Sequence, residues 1–162
     1  MTDRIGLAIA GLHRDEGHLA AELTGLSDQH RAEHEIHHVA RDLAGWSREH
    51  ERLLAELGVA RGLDLGPRHE GVAGSPAGVH RKEGDVEETG DASLALIRDL
   101  RGLHRAAAGV SLDWDVLGQT AQALQDRELL GAAQRCHPQT LRQMKWADAM
   151  VKQVSAQLLV TG

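Results

Sequence analysis

Apolar residues recur at spacings of three and four along most of this chain, the period of one buried face of an α-helix. The first such run covers residues 3–26 and carries Ile5, Ala8, Ile9, Leu12, Leu19, Leu23 and Leu26. The string GLSDQH breaks it, and Ser27 or Asp28 can cap a second helix over residues 29–57. That helix has its stripe at Ala32, Ile36, Val39, Ala40, Leu43, Trp46, Leu53, Leu54 and Leu57, with Gly58 as the predicted stop. A third run over residues 92–108 uses Ile97, Leu100, Leu103 and Ala107. GVSLDWD then interrupts the pattern, so Ser111 is expected to cap an extra short helix holding Trp114, Leu117, Ala121 and Leu124. The last run covers residues 128–159 and contains Pro138, which predicts a kink or a restart because proline suits only the first helical turn.

Between the halves, residues 58–90 hold many Gly, two of the three Pro and no sustained period. A connection this long can run back along the second helix, so that the third starts at the opposite end. The short link between the first two helices implies an antiparallel pair. The predicted fold is therefore all-α, a single domain over residues 1–162. It is an antiparallel four-helix bundle of two helical hairpins, joined by a long crossover and with an extra short helix in the second half. The halves echo one another weakly: GLHR occurs at 11–14 and at 102–105, and the spacing of His37 and Trp46 repeats in His137 and Trp146.

Composition sharpens this picture in two ways. Phe and Tyr are absent and only Trp46, Trp114 and Trp146 are aromatic, so the core has to come from Leu, Ala, Val and Ile. Such side chains suit helix packing, and strand formers are sparse. The net charge of −6, with no basic arm, argues against a nucleic-acid partner. No run is long enough to span a bilayer, so no membrane partner is expected. The amphipathic start is read as helix and not as a secretory signal. The single cysteine, Cys136, cannot form an internal disulfide, which favours a reducing cytoplasmic setting.

Candidate chemistry lies in histidine and glutamate. QHRAEHEIHH at 29–38 contains His30, His34, His37 and His38, with 30/34 and 34/38 at the separation where two imidazoles on a helix can share a metal ion. Measured against the stripe through Ile36, Val39, Ala40 and Leu43, these histidines fall on the flanks and the far side, so the cluster is expected to face water. Other polar residues interrupt the apolar stripes instead: Glu16 and Glu22, Glu33 and His50, His104, His137 and Asp148. Buried carboxylates are costly unless paired or bound to metal. Glu16, Glu33, His104 and His137 are therefore the candidate metal ligands, with iron, manganese or zinc as the candidate metals.

A helical pair, a long crossover and a second helical pair with inward Glu and His resembles the ferritin-like superfamily. In its iron-binding members each half supplies a Glu from one helix and a Glu-x-x-His pair from the next. Here Glu16 stands where the first Glu is expected, and Glu35-x-x-His38 has the spacing of the pair, although it lies away from the predicted core. His104 occupies the place of the second Glu, and the last helix has no Glu-x-x-His. The resemblance thus implies an atypical metal site. A complete bundle pattern beside incomplete catalytic motifs points to a non-catalytic binding or interaction protein, and the resemblance implies a homo-oligomer of two or more copies. The alternative is an iron- or manganese-dependent oxidoreductase with Glu and His ligands inside the bundle.

Overall fold

A computed structural model describes residues 3–66 and 92–161. They form four helices: α1 (Arg4–Gln29), α2 (His34–Val59), α3 (Ala92–Leu124) and α4 (Arg127–Val160). No strand occurs among the described residues. The expected crossover at residues 58–90 falls mostly outside them. No described helix is long and apolar enough to cross a membrane.

The packed pairs are α1 with α2 and α3 with α4; the pairs meet mainly through α1 and α3, and less through α2 and α4. Their shared core is aliphatic, as the composition requires, with Ile9, Leu19, Leu23, Leu54, Leu100 and Leu103 almost wholly buried. Trp114 is the largest fully enclosed side chain.

Four helix boundaries differ from the expected ones: the end of α1, both ends of α2 and the end of α3. α1 continues through Ser27 and Asp28, and α2 starts only at His34 behind an uncapped Glu33. Ser27 is buried and joins the two helices: its Oγ donates to the His37 carbonyl at 2.7 Å, and His37 Nδ1 lies 2.8 Å from the Ser27 carbonyl. A carbonyl can only accept, so this imidazole carries its proton on Nδ1.

Gly58 is not the stop of α2. It sits inside the helix, where an added Cβ would come within 2.9 Å of Leu65 Cδ1. The chain turns at Gly62, with φ 74°, while Leu63 N–H donates to the Gly58 carbonyl at 2.8 Å. That bond is the long closing bond of a glycine-terminated helix.

The extra short helix does not exist as a separate element. Ser111 and Trp114 lie on one continuous 33-residue helix, because Ser111 and Val110 are both on its buried face and nothing there breaks the backbone ladder. α4 likewise runs unbroken through Pro138.

The α3–α4 connection is very tight. Gln125 adopts a left-handed φ of 56°, Asp126 N–H donates to the Ala121 carbonyl at 3.0 Å, and Asp126 Oδ1 caps Leu129 N–H at 3.0 Å. Arg61 braces this turn, with Nη2 2.8 Å from Asp126 Oδ2 and Nη1 3.9 Å from Asp3 Oδ2. A left-handed residue other than glycine costs about 1–2 kcal/mol, partly offset by the extra freedom glycine has when unfolded. Gln125→Gly is therefore expected to stabilise the fold by about 0.5–1 kcal/mol, measured by urea unfolding. A loss of stability would mean that the Gln125 side chain makes a contact outweighing its backbone strain.

Candidate functional site

The chemically rich part of the structure lies in the middle of the bundle and draws on every helix. Glu16 on α1 is fully buried; the buried stripe passes through it between Leu12 and Leu19. Its Oε1 accepts from Trp114 Nε1 of α3 at 2.7 Å and lies 2.8 Å from His50 Nδ1 of α2. His50 is 1% exposed, and its Nε2 lies 2.6 Å from Gln139 Oε1 of α4. The hydrogen-bonded series Trp114–Glu16–His50–Gln139 thus joins all four helices through side chains far apart in sequence.

Both imidazole nitrogens of His50 face oxygen acceptors, which calls for a proton on each. Burial by itself would push the ring toward its neutral form. Cys136 and Glu16 beside the ring, and the charge opposite, outweigh it and hold the His50 pKa up at about 10, from 6.5. His50 is thus an imidazolium paired with a buried carboxylate. Glu16 Oε2 has no hydrogen-bond partner among the described residues.

A second polar layer lies beside the first. Gln143 of α4 donates through Nε2 to the Leu43 carbonyl and to Ser47 Oγ, both at 2.9 Å, and Gln143 and Ser47 are fully buried.

A thiol, an imidazole and a carboxylate in contact are the parts of an activated nucleophile. Here, however, Cys136, His50 and Glu16 are all at most 1% exposed, so no substrate reaches them. The set acts instead as an internal clamp among the helices.

The structure does not gather the four predicted metal ligands. Glu16 is inside as expected. Glu33, expected to point inward, is exposed at the start of α2, because the turn comes later than the sequence suggested. His104 is half-buried and lies near Asp148 on the outer side of α3 and α4. His137 is half-buried and borders a small cleft with Trp114 and Gly118. Glu22, also expected inside, is exposed. Among the described residues no three His, Cys, Asp or Glu side chains are placed to hold one metal ion.

The histidine cluster divides. His34 and His38 are exposed, with ring centroids 4.9 Å apart. His37 turns toward Ser27, and His30 Nε2 lies 2.9 Å from Asp99 Oδ2, linking the end of α1 to α3. The histidines of the two GLHR strings differ in burial, His13 being buried and His104 half-buried. His13 Nε2 lies 3.9 Å from Glu51 Oε1 of α2, and His104 stands near Asp148 of α4.

Trp114, Gln139 and Gln143 carry the interior network; sequence reasoning gave the two glutamines no role and Trp114 only a place on an apolar stripe. The only signal for a glutamine was at Gln143, one helical turn from both Thr140 and Ala147 on the buried stripe of α4.

A surface groove of about 350 Å³ runs between α1 and α3, with Ile5, Ala8, Leu12 and Val116 along it, Arg4 at one end and Asp15 with Asp113 at the other. Burial, followed by the charge of Asp15, raises the Asp113 carboxyl above the usual aspartate range.

Comparison with known proteins yields no matching family model, and no match among curated proteins or solved structures.

Because the His50 pKa is higher folded than unfolded, the stability it contributes is complete below about pH 6.5 and is lost as pH rises toward about 10. The melting temperature should fall between pH 7 and pH 10, and the fall should flatten in a Glu16→Gln/His50→Gln double variant. Equal slopes in the two proteins would contradict the charged pair. Removing one partner alone, as in His50→Ala, should cost about 3–5 kcal/mol in chemical unfolding, because it strands a buried charge.

Proposed function

We propose that this protein is a non-catalytic binding or interaction protein: a ferritin-like antiparallel bundle of two helical hairpins joined by a crossover, homo-oligomeric, cytoplasmic and acting through its surface. The observation that carries this reading is the closed interior. Where inward Glu and His side chains could have turned toward a ligand, Glu16 and His50 bond to each other and to Trp114 and Gln139. The close packing of α1 with α2 and of α3 with α4 supports the two-hairpin arrangement.

The ferritin-like resemblance implies a pair of metal ions, and the donor set does not fit one. A site for hard divalent ions needs several carboxylate or imidazole ligands converging on one point. Glu33 is on the surface, His104 and His137 are apart, and Glu16, whose Oε2 alone is left without a partner, has no second and third carboxylate or imidazole ligands converging with it among the described residues.

Elemental analysis of protein made without an affinity tag tests the reading. The expected result is iron, manganese and zinc well below one per chain, with melting unchanged after chelator treatment. Stoichiometric iron or manganese that disappears in Glu16→Ala would overturn the reading in favour of the oxidoreductase. Zinc that disappears in His34→Ala would instead assign the metal to the exposed histidine pair.

A further inference from the structure

The α1–α3 groove is built to meet its own copy. Its ends carry opposite charge: Arg4 at one, Asp15 and Asp113 at the other. Arg4 and Asp15 are eleven positions apart in α1, about 16 Å along a helix axis at 1.5 Å per residue. Asp15 has only an exposed contact with Arg14 at 3.5 Å, and no ion pair joins Arg4 or Asp113 to another described residue. Large apolar side chains flank the groove and stay in water. Leu7, one turn from Arg4 and Gly11, is 60% exposed; Leu112 and Val116, one turn apart on α3, are 62% and 55% exposed.

We infer that two copies of this chain associate through the α1–α3 groove about a twofold axis, with Arg4 of each copy against Asp15 and Asp113 of the other. A twofold axis brings the same surface together from both sides, so each residue contact occurs twice. An axis through the middle of the groove reverses α1 against its copy, which sets the basic end on the acidic end in both directions. Leu7 and Val116 then lie between the two charged ends, with Leu112 beside the acidic one, and these apolar ridges cover one another. A small ligand in the groove would leave Leu7 and Leu112 uncovered, whereas a second copy covers both. Complementary charge at the ends fixes register and direction more than affinity, which comes from the apolar middle.

The inference rests on the reading of the bundle as a homo-oligomeric interaction protein, and the two fail separately: a monomer overturns the dimer and the homo-oligomer part of that reading, while stoichiometric iron or manganese lost in Glu16→Ala overturns its non-catalytic part and leaves the dimer standing. The experiment is sedimentation velocity on the full chain over a wide concentration range. Wild type should sediment at twice the 17.5 kDa chain mass. Arg4→Asp in one chain, and Asp15→Arg with Asp113→Arg in another, should each weaken self-association at least tenfold, because like charges then meet at both ends. An equimolar mixture of the two variants should regain the dimer, since both ends are again complementary. Arg41→Asp, a matching charge change at an exposed position of α2, should leave the wild-type dimer intact. Far-ultraviolet spectra establish that each variant is folded. If the charge variants are poorly folded, Leu112→Ser with Val116→Ser provides the second route and should also yield a monomer. A wild-type monomer at every concentration overturns the inference. So does a dimer that persists in each charge variant alone, or a mixture that stays monomeric.

Discussion

One carboxylate oxygen organises the interior of this bundle. Glu16 Oε1 receives Trp114 from α3 and faces His50 of α2, and His50 in turn reaches Gln139 on α4. An aliphatic core of Leu, Ala, Val and Ile would pack in several registers at similar energy. A buried ion pair tolerates few alternatives, because any slip of one helix leaves a charge unpaired in a medium that penalises it heavily. The pair therefore contributes specificity more than net stability, and the aliphatic residues around it supply the burial.

The same bonds decide how the centre is used. Carboxylate, imidazole and thiol side chains in one place can serve catalysis or metal binding if they are reachable and have coordination to spare. In this chain the imidazolium has given up both nitrogens and the cluster is sealed by neighbouring helices. Accessible chemistry moves to the outside, where the α1–α3 groove combines exposed apolar side chains with separated charges.

Both ends of the bundle are tied by polar contacts that the apolar pattern does not announce. Arg61 holds the α3–α4 turn and the start of α1 together at one end. At the other, His30 meets Asp99, and Ser27 and His37 exchange hydrogen bonds. The histidine-rich segment thus divides its work, with two rings in structural contacts and two facing solvent. Its spacing alone could not distinguish them, since neighbours on one helix differ only in which partner the fold presents.

The periodicity of the chain determined that it is helical, where the four main apolar stripes lie, and that Glu16 and His50 point inward. Each follows from local spacing on a 3.6-residue repeat, which acts within one helix and needs no partner. Partners across helices were decided by tertiary structure. A turn near Ser27, where the apolar pattern breaks, would set Glu16 level with His37 and His38; the turn actually occupies residues 30–33, and Glu16 meets His50. Each residue by which a turn moves shifts the opposed position by two, so a small boundary error replaced the partner altogether. Thr140 and Gln143 sit in the buried stripe of α4 while the apolar Leu141 and Met144 next to them are only half-buried; the facing Ser47 and the Leu43 carbonyl make that burial tolerable for Gln143. A polar residue's place in a core depends on a bond to something distant in sequence, and that bond exists only once the helices have packed.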